Sequence, residues 1–337
     1  MLSATLSPSQ CENNPLPNRP IIVLSFGLTA LVAALDIAWL PFSKIHVDTS
    51  NVSVIAKLGL GMVLLYGISV AVSLRVGNDK SLLGQLIGRL AYIIRSLIGV
   101  TMLSLPFGIA FGIFICLASS TGRELVDAQL AAIDRAVGFD WLAFLSAMNG
   151  DPIVSKVLVL AYHTAGLQVL ALLISYAAMQ RADRMIEFTV LNLVCLTITG
   201  ILVAFFPAAG AYAYFNPPPG AYNNFTEHAG MWHYSTLLKL RSGDPFTLFL
   251  DDPQPLVTFP SYHTAVGIFV AWSARGFRFF WPVAALEAVM ILSTLPEGGH
   301  HLVDVVAGGI VAVLAIVAVA GIESAKRPML RPAKAPR

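Results

Sequence analysis

The chain has 337 residues, of which 56% are hydrophobic and only 12% charged. A soluble domain carries about 25% charged residues, so this composition excludes a soluble enzyme, a nucleic-acid binder and a disordered scaffold. The net charge of +2 gives no footing for an acidic partner, and the three cysteines, Cys11, Cys116 and Cys195, show neither zinc nor disulfide spacing.

Residues 1–20 are polar and proline-rich, without the basic start and apolar stretch of a cleaved leader. The first apolar block is then expected to act as the insertion signal. A membrane span takes roughly 20 mostly apolar residues, and eight blocks qualify: 21–42, 54–74, 94–119, 153–179, 186–207, 261–274, 279–295 and 302–322. Pro106 and Gly108 are expected to bend the third. The side shared by both termini and the even-numbered loops carries fourteen Lys and Arg, the other side seven. Excess basic residues mark the cytoplasmic face, which puts both termini inside and the odd-numbered loops outside. Two outer segments are longer than connectors need. Segment 121–150 spaces Leu125, Leu130, Ile133, Val137 and Trp141 as a helix lying in the membrane interface would, either as a packed connector or as a gate. Segment 208–259 is rich in Pro, Gly, Asn and aromatic residues, and long loops of this kind tend to be functional. The expected fold class is therefore all-α, a polytopic transmembrane helical bundle. It divides into a polar tail (1–20), an N-terminal membrane region with the outer helix (21–150), a catalytic membrane region (151–323) and a basic cytoplasmic tail (324–337).

Two stretches depart from ordinary membrane sequence: residues 258–265 (TFPSYHTA) at the outer start of the sixth span, and residues 296–304 (PEGGHHLVD) at the outer start of the eighth. Pro260 suits the first turn of a helix. Ser261 and the amides that follow it form a potential anion site at a helix N-terminus, with His263 in the same turn. His300 and Asp304 are four apart and share a helix face, so Asp304 can hold one ring nitrogen and leave the other free to attack. Gly298 and Gly299 permit close backbone approach. Together these parts suggest phosphoryl transfer, in which one histidine attacks phosphorus and a second protonates the leaving oxygen.

The pattern Pro260-Ser261-Tyr262-His263 resembles the Pro-Ser-Gly-His motif of the type 2 phosphatidic acid phosphatase superfamily. His300-x3-Asp304 resembles the end of that family's Ser-Arg-x5-His-x3-Asp motif, and the wording FPSYHTA and GGHHLVD is closer still to the branch containing inositol phosphorylceramide synthase. The resemblance implies a helical bundle with no metal and no cofactor, a phosphohistidine on His300, His263 as the acid and Asp304 as the orienter of His300. It also implies a lipid phosphate as substrate, with an alcohol as a potential acceptor. It covers about the last third of the chain. The family's Ser-Arg pair falls on Ser293 and Thr294, so the arginine is missing. Tyr262 replaces its glycine, and its Lys-x6-Arg-Pro motif has only Lys239-Leu240-Arg241 as a counterpart. Arg241, Lys239, Ser261 and Tyr262 are the candidate phosphate-binding residues.

Other polar residues are weighed beside these. His301 follows the nucleophile and reads as a lining residue, although its spacing to Asp304 also fits a role exchange with His300. His228 and His233 share the long outer loop. His163, after Tyr162, falls well inside the fourth span, where an ionisable group is a functional candidate. Asp36 and Glu287 are expected to pair internally. One alternative is a metal-dependent hydrolase using His263, His300, His301 and Asp304; another is a non-catalytic lipid-binding or transport protein. The short loops suggest a bacterial inner membrane, with the site facing the periplasm and membrane lipids as the surroundings.

Overall fold

The computed structural model describes residues 19–251 and 255–324. Cys11 and the basic residues of the predicted C-terminal tail, from Lys326 to Arg337, lie outside the described residues. The chain runs α1 (Arg19–Trp39), β1 (Ile45–Val47), α2 (Ser50–Val76), α3 (Leu82–Ser119), α4 (Asp127–Ala136), α5 (Trp141–Asn149), α6 (Pro152–His163), α7 (Ala165–Ala178), α8 (Ala182–Phe205), α9 (Ala211–Phe215), α10 (Tyr234–Arg241), β2 (Phe246–Leu248), α11 (Tyr262–Ser273), α12 (Phe280–Ser293) and α13 (Leu302–Ser324). Local signals set several starts. Ser81 Oγ accepts from Gly84 N ahead of α3, Asp140 from Ala143 N ahead of α5, and Asp151 from the amides of Ile153 and Val154 ahead of α6. Each side chain satisfies an amide that has no partner within its helix.

All eight predicted apolar blocks are helical, and the class is an all-α membrane bundle. Five helices, α1, α2, α3, α8 and α13, are long and apolar enough to cross a bilayer alone. The other three blocks differ from expectation. The fourth is interrupted at Thr164, where Leu160 O accepts both the Thr164 amide and Thr164 Oγ1, and Gln168 Nε2 donates to Ala161 O. The sixth and seventh are helices of 12 and 14 residues. Helix α3 has 38 residues and continues through Pro106 without interruption. At 1.5 Å per residue that is roughly 57 Å, well beyond the ~30 Å hydrocarbon layer.

One apolar cluster joins Ile21 of α1 and Val100 of α3 to Tyr176 of α7, Leu191 of α8, Phe269 of α11 and Ala312 of α13. The helices before and after residue 150 thus share a core. Small residues let α13 approach α11 closely: a Cβ on Gly308 would collide with the carbonyl of Ser261, whereas Gly321 faces open space. The strands β1 and β2, which the sequence did not announce, pair in parallel, Ile45 opposite Phe246. Asn51 clasps them, donating to Leu248 O at 2.9 Å and accepting from Leu250 N at 2.8 Å.

The expected interfacial segment is two helices, α4 and α5, and α4 is polar on its inner face. Asp127 and Asp134, two turns apart, are both buried. Asp134 accepts from the amides of Leu302 and Val303, each at 2.9 Å, and so caps α13. Asp127 accepts from Ala209 N at 2.8 Å and Gly210 N at 2.7 Å. Between them lies His301, with no exposed surface, Nε2 at 3.6 Å from Asp127 and Nδ1 at 3.6 Å from Asp134. Its predicted role as a site-lining residue is therefore replaced by an internal one. Burial opposes its protonation, but the two aspartates and the nearby charge of Asp304 outweigh that and raise its pKa from the ordinary 6.5 to about 9.

A histidine whose pKa is raised in the folded state stabilises fully below its unfolded value and loses that contribution as pH rises through the folded one. The melting temperature of the detergent-solubilised protein is therefore expected to fall as pH is raised through about 9. His301→Gln should melt lower at pH 7 and lack that decline; an identical decline in the variant would show that His301 is not its source. Gly308→Ala, which forces apart two packed helices, should cost about 1–3 kcal/mol, and Gly321→Ala should melt like the parent.

Candidate active site

His300 ends the loop between α12 and α13, and its backbone is fixed from two sides. Its amide donates to Thr294 O at 3.1 Å, and its carbonyl accepts from the Trp141 indole at 3.0 Å. The ring is almost fully buried, with Nδ1 3.3 Å from Asp304 Oδ2, and that same oxygen accepts the His301 amide at 2.9 Å. A carboxylate on Nδ1 favours the tautomer with the proton there, which leaves the Nε2 lone pair available. Two glycines make the loop possible. Gly299 has φ +69° and packs against Gly230, which has φ +64°; a Cβ on either would come within 2.7 Å of the other's Cα. A Cβ on Gly298 would lie 2.6 Å from Thr294 O, 2.9 Å from Tyr162 Cε2 and 3.1 Å from His300 Cδ2.

The second motif meets the first through the backbone, since Ser261 N donates to Asp304 O at 3.0 Å. Ser261 is the N-cap of α11, and Pro260 lies before the cap, not in the first turn as its sequence suggested. His263 follows in that turn. Tyr162 covers its imidazole at 4.6 Å between ring centroids, and the same tyrosine lies against Gly298, two residues before His300. His263 is only partly buried. It borders a cavity of about 600 Å³ between α3, α7, α8 and α11, whose walls include Phe107, Gly166, Val169, Leu173 and Leu196. The site thus combines a buried His–Asp pair, a second histidine, and an apolar chamber reaching to that histidine.

The structure does not bring the expected phosphate ligands to this point. The guanidinium of Arg241 donates to the carbonyls of Thr121, at 2.8 Å, and Arg123, which anchors the loop ahead of α4. Lys239 is exposed on α10. Ser261 Oγ is fully buried and bonded to Thr264, and the Tyr262 hydroxyl donates to Asn192 Oδ1 at 2.8 Å on α8. Among the described residues, no Lys or Arg pairs with His263, His300 or Asp304. Thr294, where the family motif would carry arginine, is buried with its hydroxyl on Ile291 O. His228 is exposed. His233 is buried against Ala209 O at 2.9 Å, and burial holds its imidazole below the ordinary histidine range while that bond opposes it. The expected internal partners of Asp36 and Glu287 are not found: both oxygens of Asp36 and Oε1 of Glu287 lack a hydrogen bond among the described residues.

Sequence reasoning missed several contributors. Glu297 is fully buried in the nucleophile loop and accepts His163 Nε2 at 2.8 Å, which supplies the partner that His163 lacked. Its signal was visible as a second acidic residue, beside Asp304, inside the same glycine-rich motif. Asp127 and Asp134 had a signal too, the seven-residue spacing that puts both on one helix face. Trp141 and Tyr162 had none, because aromatic residues at span ends ordinarily act as interface anchors.

No curated protein and no solved structure matches the chain. Residues 128–318, from α4 to α13, match the PAP2 superfamily, the family of type 2 phosphatidic acid phosphatases. That span exceeds half of the chain and contains both histidine motifs, Asp134 of α4 and Glu297. Such membership carries phosphatase-type chemistry on a phosphorylated substrate. The chain is an integral membrane protein that belongs to the PAP2 superfamily.

Proposed function

We propose that the protein is a lipid phosphate phosphatase or phosphotransferase that works through a phosphohistidine on His300. The observation that carries this reading is the pairing of His300 Nδ1 with buried Asp304, beside a His263 that opens onto an apolar chamber. Nε2 of His300 attacks phosphorus as the bond to the lipid oxygen breaks. His263 gives that oxygen a proton, and Asp304 steadies the imidazolium. Water or an alcohol then takes the phosphoryl group. The chamber suits an acyl or isoprenoid chain better than a soluble phosphate ester. The two histidines supply nucleophile and acid in this scheme, which calls on no metal. The GGHHLVD wording and the absence of the motif arginine favour the transferase branch that includes inositol phosphorylceramide synthase. The distribution of basic residues supports cytoplasmic termini and an outward-facing site, and we assign the protein to a bacterial inner membrane.

Phosphate release from phosphatidic acid and an isoprenoid pyrophosphate by the purified protein tests this reading. His300→Ala should abolish release, His263→Ala should slow it roughly 10²–10⁴-fold, and a chelator should leave it unchanged. If phosphate does not appear, the same lipids are offered with an alcohol acceptor and head-group transfer is measured. Inactivity in both assays by a folded protein would overturn the proposal. Gly166→Phe, which fills the chamber, should depress activity on a long-chain substrate and spare a short-chain, water-soluble analogue. Equal loss on both would mean that the chamber does not receive the chain.

A further inference from the structure

A second histidine–carboxylate pair stands beside the first. Glu297 lies three residues before His300, has no exposed surface, and accepts three hydrogen bonds: His163 Nε2 at 2.8 Å, Thr226 Oγ1 at 2.5 Å and Thr226 N at 3.3 Å. A carboxylate is costly to bury unless paired, and these bonds tie the nucleophile loop to both the end of α6 and the long outer loop. The contact also orients His163. With Nε2–H directed at Glu297, Nδ1 carries the lone pair, and it makes no hydrogen bond among the described residues.

Position separates this pair from a simple anchor. The His163 side chain is 46% exposed, while Glu297 behind it is fully buried. It sits where the fourth apolar block breaks, next to Tyr162, the ring that covers His263. The indole of Trp232 stacks over Tyr162 at 5.9 Å and meets His163 edge-on at 5.7 Å. His163 and His300 are both close enough for their charges to be felt at His263. A histidine held by a buried carboxylate, with its other nitrogen free and accessible, has the form of a general base.

We propose that His163, oriented by Glu297, accepts the proton of the hydroxyl that resolves the phosphohistidine, while His263 serves the departing lipid alkoxide. This assignment rests on the function proposed above. In the first half-reaction the N–P bond to His300 forms, the lipid O–P bond breaks, and the alkoxide takes its proton from His263. In the second, the incoming oxygen bonds to phosphorus as the N–P bond breaks. The hydroxyl proton moves to Nδ1 of His163, and His300 returns neutral. His163 then passes its proton to His263 through solvent, so the cycle closes with no net gain or loss of protons. A dedicated base beside the exposed Trp232 would let the enzyme choose which hydroxyl enters, a choice that separates transferase from hydrolase.

The experiment follows the two halves separately. Full-length protein in detergent is mixed with phosphatidic acid labelled with ³²P and quenched in alkali, which preserves phosphohistidine, and both the labelled chain and released diacylglycerol are counted. In His163→Ala and Glu297→Gln a burst of diacylglycerol should precede slow turnover. The labelled chain should accumulate, and turnover should fall roughly 10²-fold or more. Added imidazole should restore turnover in His163→Ala, which a purely structural role would not allow. His163→Gln replaces the alanine variant if that variant does not elute and melt as the parent does. Variants that lose labelling and turnover together, or that turn over like the parent, would overturn the assignment. If the parent itself neither labels nor releases diacylglycerol, the proposed function fails, and this assignment falls with it.

Discussion

Two carboxylates and one imidazole, all removed from water, hold α4 against the first turn of α13. Desolvating such a group is expensive, and its members become a liability once one partner is removed. The arrangement persists because the carboxylates are satisfied by the backbone: Asp127 and Asp134 each take two amides, and His301 stands 3.6 Å from both. Three pieces of chain that are distant in sequence are thereby referred to one helix. The adjacent His300 inherits that rigidity. Its carbonyl is held by Trp141 at the start of α5, its amide by Thr294 at the end of α12, and its ring by Asp304. Catalysis by positioning and fixed dipoles requires supports of this kind.

The surroundings of the histidines are apolar on one side and polar on the other. On one side, His263 meets a chamber walled by Phe107, Val169 and Leu196; on the other, the second carboxylate pair and Trp232 of the 208–259 segment close the site. The cationic shell usual for phosphate is not supplied by Arg241, which is bonded to carbonyls at Thr121 and Arg123. Histidine charges and backbone amides are then the available stabilisers of a developing oxyanion. A phosphate held this way is held less tightly than by bidentate guanidinium groups. Under the function proposed above, such a hold suits a group that is passed on to an acceptor.

Helix content and the convergence of the two motifs were legible because both rest on local rules. Apolar blocks long enough to span a bilayer must form helices, since lipid offers the backbone no other partner. Four-residue spacing puts Asp304 beside His300 whatever else the chain does. What could not be read depended on tertiary geometry. The break at Thr164 has no proline or glycine at its centre, and only its side-chain bonds to Leu160 O and Ala161 O reveal how it is tolerated. Arg241 was placed near phosphate by motif analogy, yet its neighbours are decided by where α10 packs. Asp36 and Glu287 looked like members of ion pairs because membrane carboxylates usually are; the fold leaves three of their oxygens unbonded.

The small parallel clasp between residues 45–47 and 246–248 also fixes a parity. Two strands that exchange hydrogen bonds occupy one side of the bilayer, so the chain between them must cross an even number of times. The segment from Ser50 to Phe205 contains three helices, α2, α3 and α8, that each cross alone. Three is odd. A fourth passage is needed, and among the described residues the apolar helices left to make it are α5 and α6, which meet at 108°, and the 14-residue α7. If α2, α3 and α8 all cross, the bent and interrupted stretch from α5 to α7 has to carry the passage that returns the chain to the side of the clasp.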